Sequence, residues 1–327
     1  MHWQKIGTTT LKGLALLQIM TGVSPVQGLA NGIARLPGEL QRCCCDIDED
    51  LILTTAKLMK SLGLQDAGYT YVNLDDCWAE KNRTSADRVR FKSGMKNLTT
   101  QIRRLGFDSG WFTCAGYPGS FEHEQQDAQT FFVDWGFDYL KFDNCAKYQR
   151  MADAINAVSQ QSHVQIVYSL CEWGWVCDIM WGASMAHSWR TTGDIGPNWA
   201  SLTNIINFNS FITQATGFYG RNDLDMVSSS CNGGLTYDEA KSHFTAWALM
   251  KSPLLIGTNL SAITDDILGI LKNREILAIN QDPVKGSSIS PFRWGINPDW
   301  TSNSTYPAQY WSGPSQNGTV FMLARRI

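Results

Sequence analysis

Apolar and polar positions alternate in short bursts through the middle of the chain, and burst after burst ends on an acid. Tyr69 to Leu74 reads as a strand that stops at Asp75-Asp76. Gly94 to Leu105 and Asp127 to Trp135 carry helical spacing. Tyr139 to Phe142 is a strand running into Asp143, followed by Asn144 and Cys145. Ala152 to Gln161 is helical, and Gln165 to Leu170 is a strand ending at Cys171-Glu172. Ser188 to Thr191 leads to Asp194, Trp199 to Thr213 is helical, and Gly217 to Tyr219 leads to Asn222-Asp223-Leu224-Asp225. Tyr237 to Met250 is a strong helix, Pro253 to Gly257 a strand, and Ala262 to Leu271 and Arg274 to Ile279 are helices. Side chains alternate along a strand, so Lys141 and Asp143 share one face. Leu140 and Phe142 take the other, which in a barrel packs on the surrounding helices.

Repeated strand-then-helix units predict parallel strands with helical crossovers. Acids at the ends of several strands predict a (β/α)8 TIM barrel, whose reactive groups gather at that end. A doubly wound open sheet is the rival. It binds at one switch point, and the chain shows no glycine-rich phosphate loop. After Gln281-Asp282-Pro283 the composition shifts to Ser, Pro, Gly, Asn and Trp, with short strands at Ala308 to Trp311 and Thr319 to Leu323. The predicted organisation is therefore 1–30 as a signal peptide, 31–284 as the barrel and 285–327 as a β domain, an antiparallel sandwich cut short.

The leader is inferred from Lys5, Lys12, the mostly apolar stretch Leu11 to Val23, and small residues near Gly28 and Ala30. It is too short to span a bilayer, so the expected product is secreted and extracellular. Five sequons, at Asn82, Asn97, Asn259, Asn303 and Asn317, agree with a glycoprotein. With 327 residues, a net charge of −3 and no basic run, neither nucleic acid nor membrane is an expected partner. Nine cysteines in an oxidising compartment should mostly pair, with at least one left over.

The candidate acids are Asp75, Asp76, Asp143, Glu172, Asp194, Asp223 and Asp225. Many carboxylates, no HExxH-type motif and a secreted barrel point to a glycosidase, which needs one carboxylate as nucleophile or base and one carboxylic acid for the leaving oxygen. A divalent-metal hydrolase is the rival on acid count. His123, His163, His187 and His243 show no ligand spacing, so no metal and no cofactor are expected.

Seven blocks stand in order: Asp75-Asp76-Cys77-Trp78, Thr113 to Ser120, Lys141-Phe142-Asp143, Cys171 to Trp175, Trp189 to Asp194, Asn222 to Met226 and Asn280 to Pro283. From about Cys45 onward the chain strongly resembles the α-galactosidases (melibiases) of glycoside hydrolase family 27, particularly fungal ones. The resemblance implies a retaining enzyme that removes terminal α-linked galactose from oligosaccharides, galactomannans or glycoconjugates. It places Asp143 as nucleophile and Asp194 as acid/base, with carboxyl groups roughly 5–5.5 Å apart. It places Asp75 and Asp76 at the galactose 4- and 6-hydroxyls, and Lys141 near the 3- and 4-hydroxyls. Arg190 and Asp225 fall near the 2- and 3-hydroxyls, with Glu172 and Trp175 bordering the 2-hydroxyl. Retention of Glu172 and Trp175 favours galactose over N-acetylgalactosamine, leaving an α-N-acetylgalactosaminidase as a lesser alternative. By the same matching, Cys45 pairs with Cys77 and Cys114 with Cys145. No pairing follows for Cys43, Cys44, Cys171, Cys177 and Cys231, although Cys171 with Cys177 is a candidate.

The chain also departs from the family pattern. Leu36 to Cys44 stands where the first barrel strand is expected, and Gly106-Phe107 runs almost directly into Asp108. Strands 1 and 3 are therefore expected to be missing or altered, as is part of the C-terminal domain. Leu224 stands where the family prefers proline. These departures keep a second reading open, a non-catalytic remnant that at most binds galactose. The oligomeric state does not follow from the sequence.

Overall fold

The computed structural model describes residues 33–35, 47–74, 78–80, 89–111, 119–143, 148–174, 181–227, 234–291 and 307–323. Eight parallel strands form one sheet: β1 (Ile33–Arg35), β2 (Tyr71–Leu74), β3 (Asp108–Trp111), β4 (Tyr139–Asp143), β5 (Val167–Cys171), β6 (Ser188–Arg190), β7 (Arg221–Asp223) and β8 (Leu255–Ile256). Each strand lies beside its predecessor, and β8 lies against β1. Just past β7, Val227 forms a parallel bridge with Ile256. Its N–H donates to the Leu255 carbonyl at 2.5 Å, and its carbonyl accepts from Gly257 at 2.9 Å. The ring closes there, which removes the unpaired edge that an open sheet would present.

Strands 1 and 3, expected to be missing or altered, are both present in short form. Ile33–Arg35 lies upstream of the Leu36 to Cys44 window and pairs with both β2 and β8. Asp108–Trp111 pairs with β2 and β4. Both are short, and neither carries the apolar run that marks a buried strand in sequence. Their neighbours impose the pairing, because a closed ring must satisfy backbone groups on every strand. The strand expected at Gly217 to Tyr219 instead forms at Arg221–Asp223.

The helices are α1 (Glu49–Ser61), α2 (Met95–Arg104), α3 (Glu124–Ala128), α4 (Tyr148–Ser162), α5 (Trp199–Ser210), α6 (Tyr237–Leu249), α7 (Asp265–Leu271) and α8 (Arg274–Asn280). Local chemistry sets their starts. The Asp48 carboxylate accepts the Leu51 N–H at 2.8 Å to begin α1. Thr236 and Glu239 form a reciprocal capping box at α6. After α3 the chain widens into a π-turn, Gln129–Asp134, where a continuous helix was expected.

The barrel strands sort their side chains by face. Leu140, Phe142, Tyr168, Leu170 and Trp189 point outward and are buried. The Phe142 ring lies 6.0 Å from Tyr148 on α4. Trp189 Nε1 donates to Asn222 Oδ1 at 2.9 Å. Lys141, Asp143, Ser169, Cys171, Ser188, Arg190, Arg221 and Asp223 take the alternate, inward positions and are also buried. The interior of this part of the barrel is thus polar, and the apolar core lies between sheet and helices.

A separate antiparallel sheet, β9 (Ser290–Pro291), β10 (Tyr310–Ser315) and β11 (Gly318–Leu323), follows the barrel. It is joined to the barrel by Ile289 N–H to the Leu249 carbonyl at 2.9 Å and Ser290 Oγ to Thr213 Oγ1 at 2.7 Å. Asp282, in the Asn280-Gln281-Asp282-Pro283 block, forms the third tie. Its carboxylate accepts the N–H groups of Val284 (2.8 Å), Lys285 (2.9 Å) and Gln316 (2.6 Å), the last from the β10–β11 turn. Burial pushes this carboxyl up, but the three N–H donors, led by Gln316, and the Lys251 charge outweigh it and hold it below the usual value.

Because the folded-state pKa of Asp282 is depressed, its contribution is present above the unfolded carboxyl value of about 4 and is lost as pH falls through the lower folded one. The melting temperature of the wild type should therefore fall more steeply below pH ~4 than that of Asp282→Asn. Asp282→Ala should cost about 1–3 kcal/mol at neutral pH, through orphaned N–H donors, as read by denaturant unfolding.

Candidate active site

The strand register builds the site. Asp143 pairs with Cys171, Cys171 with Arg190, and Arg190 with Asp223. These four residues form one row across β4 to β7 at the C-terminal strand ends. One level deeper, Lys141, Ser169, Ser188 and Arg221 form a second row. The deeper level is linked by Ser188 Oγ donating to Ser169 Oγ at 2.8 Å.

On β4, the two-residue repeat sets Lys141 Nζ 3.3 Å from Asp143 Oδ1, with both side chains nearly buried. A buried carboxylate this close to an ammonium has its charge balanced in place. Next in the row, Cys171 Sγ lies 4.0 Å from Arg190 Nη1. Burial pushes the thiol up to about 12, with the Lys141 and Arg190 charges opposing and Asp143 adding to the rise. It is a buried free thiol. This corrects the candidate Cys171 with Cys177 pairing, because the sulfur is committed to the barrel interior beside Arg190.

Glu172 follows β5 and is buried, and its Oε2 accepts no hydrogen bond among the described residues. Burial raises its carboxyl, opposed by a hydrogen bond from the Tyr148 hydroxyl. The chain then turns through two left-handed residues, Trp173 (φ 57°) and Gly174 (φ 78°). A Cβ on Gly174 would sit 2.4 Å from the Thr191 carbonyl, so glycine lets this turn press against the end of β6.

Arg190 is the centre of the other half. Its side chain is 1% exposed, and one terminal nitrogen, Nη2, meets Asp225 Oδ2 at 3.0 Å and Asp194 Oδ1 at 3.2 Å. The same nitrogen donates to the Thr192 carbonyl at 3.2 Å. Asp194 is 83% exposed, so its carboxylate faces solvent while its inner oxygen is anchored. Asp225 is buried with φ 74°. Its Oδ2 also accepts the Ile195 N–H at 2.9 Å, and its carbonyl accepts from Trp247 Nε1 at 2.8 Å. Leu224 keeps an N–H that a proline would lack, and Ser252 Oγ accepts it at 3.0 Å.

The structure therefore brings together Lys141 with Asp143, and Arg190 with Asp194 and Asp225, with Glu172 just past the end of β5. Asp75, Asp76, Trp175, Cys45, Cys77, Cys114 and Cys145 lie outside the described residues, as do the sequons at Asn82 and Asn303. Tyr148 and Ser252 were not anticipated. Each is a lone polar residue on or after a helix, without a motif to mark it. Among the described residues, no group of three or more His, Cys, Asp or Glu side chains is arranged to hold a metal ion, and no helix is long and apolar enough to cross a membrane.

Comparison with known proteins gives the family of the chain. The family profile described as Alpha galactosidase A matches residues 38–282. The chain is 40% identical to "Probable alpha-galactosidase B" of Talaromyces emersonii, over 91% of this chain and 80% of that protein. It is 38% identical to the Aspergillus oryzae protein of the same name, over 90% and 80%. Among solved structures it is similar to α-galactosidase I from Mortierella vinacea, with a TM-score of 0.78 and 30% identity over 92% of this chain and 82% of that one. It is similar also to the Saccharomyces cerevisiae α-galactosidase solved with raffinose, with a TM-score of 0.77 and 32% identity over 90% and 73%.

Arg190→Ala would leave the buried Asp225 carboxylate without its cation. The expected loss is ~3–5 kcal/mol in urea unfolding. Arg190→Lys should recover part of it, since a point-like ammonium does not reproduce the planar guanidinium. A loss under ~1 kcal/mol for the alanine variant would place the pair among those that contribute little to stability.

Proposed function

The chain belongs to the α-galactosidase A family of glycoside hydrolases, family 27, and is a glycoside hydrolase acting on α-galactosides; we propose that it does so by double displacement through Asp143 and Asp194. An Asp143 carboxylate oxygen attacks the anomeric carbon of a terminal galactose. The glycosidic C–O bond breaks, and Asp194 gives its proton to the departing oxygen. A galactosyl ester on Asp143 remains. Asp194, now a carboxylate, takes a proton from water, whose oxygen attacks the same carbon. The ester bond breaks, Asp143 recovers its electron pair, and galactose leaves in its original α configuration.

The observation that carries this reading is the upper row. It sets Asp143 and Arg190 two strands apart, about 10 Å between backbones at normal strand spacing, and Arg190 grips Asp194. Two carboxylates thus approach one mouth from different strands. Exposure of Asp194 suits a group that must meet both a leaving group and water. Lys141, Arg190, Asp225 and Glu172, with Asp75, Asp76 and Trp175, are proposed to hold the sugar hydroxyls. Glu172 Oε2, which accepts no hydrogen bond among the described residues, suits acceptance from a hydroxyl. Raffinose-type oligosaccharides are the proposed substrate class, since a similar enzyme was solved with raffinose. Secretion, a cleaved leader, glycosylation and the Cys45–Cys77 and Cys114–Cys145 disulfides belong to this proposal, as does the division at about residue 284.

Asp143→Asn should lower hydrolysis of an aryl α-galactoside at least ~1,000-fold in a sample that circular dichroism shows to be folded. Full activity in that variant would overturn the nucleophile assignment. A folded wild-type sample without turnover would favour the galactose-binding remnant instead. Proton NMR of the first-formed product should show α-galactose, and β-galactose would rule out retention.

A further inference from the structure

Asp223 has no place in the reaction just described, yet it is fully buried in the upper row beside Arg190. Its Oδ1 accepts the Asp225 N–H at 2.8 Å, and its buried Oδ2 has no hydrogen-bond partner among the described residues. Among the described residues, the carboxylate's one hydrogen bond is thus with the backbone of a residue held in the left-handed region, at φ 74°. Non-glycine residues seldom stay there unless their surroundings fix them. The other bonds on Asp225 run to its carbonyl from Trp247 and to its carboxylate from Met226 (2.7 Å), Ile195 and Arg190. Among the described residues, the Asp223 carboxylate is the acceptor that holds its N–H.

That backbone twist decides where the Asp225 carboxylate points. The carboxylate reaches Asp194 by two routes: through Arg190 Nη2, which holds Asp194 Oδ1, and through the N–H of Ile195, the next residue along the chain. We propose that Asp223 is a positioning residue for Asp194, fixing the left-handed turn at Asp225 and through it the placement of the proposed acid/base. This inference rests on Asp194 having that role.

The test separates acid placement from general damage. A dinitrophenol leaves without a proton, whereas an alkyl alcohol needs one, so a displaced acid harms the alkyl α-galactoside selectively. In Asp223→Ala, kcat/KM for an alkyl α-galactoside should fall ~100-fold, while that for the dinitrophenyl α-galactoside falls less than ~5-fold. Asp223→Asn keeps an acceptor oxygen for the Asp225 N–H and should recover most of the alkyl rate. Asp194→Ala is the reference and should show the same selectivity. If it shows none, the acid/base reading of Asp194 fails. If Asp194→Ala is selective but Asp223→Ala slows both substrates alike, or neither, the positioning role is wrong. It is also wrong if Asp223→Asn matches the alanine variant, or if Asp223→Ala does not fold.

Discussion

The contact on which the site depends is the buried Arg190 guanidinium between Asp225 and Asp194. A guanidinium removed from water carries a desolvation cost of several kcal/mol unless its donors are met. Here two carboxylates and the Thr192 carbonyl gather on Nη2, and the Cys171 sulfur lies 4.0 Å from Nη1. Without that cation, Asp223, Asp225 and Asp194 would crowd three carboxylates at the end of two adjacent strands. With it, a buried carboxylate and a solvent-facing one share a single fixed nitrogen. The arrangement needs arginine because its planar, permanently charged head presents several donors at once.

Register makes that contact available. Parallel strands in a closed ring cannot slip by one residue without turning every inward side chain out. Closure at Val227 and Ile256 therefore fixes more than the last seam. It locks the level at which Asp143, Cys171, Arg190 and Asp223 stand. The outward side chains enforce the same register. Trp189 is trapped between Gly182 and Gly220, where an added Cβ would come within 2.7 and 2.9 Å of its ring. Its hydrogen bond to Asn222 ties β6 to β7 at the level of Arg190 and Asp223.

Much of this was legible in the sequence, for physical reasons that also explain what was not. Tyr139–Asp143 and Val167–Cys171 are buried on both faces and keep apolar residues on the outer one, so hydropathy finds them. Arg221–Asp223 has no apolar residue at all. Its inner positions are polar, and its outer one is an asparagine satisfied by Trp189, so the strand was placed a few residues early. Ile33–Arg35 and Asp108–Trp111 are held by their neighbours' unpaired backbone, a long-range demand that local pattern does not record. In the site, the motif order pointed to Lys141, Asp143, Arg190, Asp194 and Asp225. The use of Asp223 was hidden because it depends on the φ of Asp225, which residue identity does not give.

A polar barrel interior weakens the fold at its centre, and the structure shows where the compensation lies. Lys141 with Asp143 and Arg190 with Asp225 are ion pairs that, at best, roughly break even against apolar residues of similar size. Arg221, deeper in the barrel, donates to the Lys251 and Asn280 carbonyls, pairs with no carboxylate among the described residues, and burial lowers its pKa to about 10. Stability must then come from the outer layer, where Phe142, Tyr168, Leu170 and Trp189 are buried with α4 and its neighbours. The two layers use alternate residues of the same strands. The sequence can therefore vary its inward positions to suit chemistry while its outward positions keep the ring closed. That division is why a chain with two short, atypical barrel strands still presents the reactive row on β4 to β7.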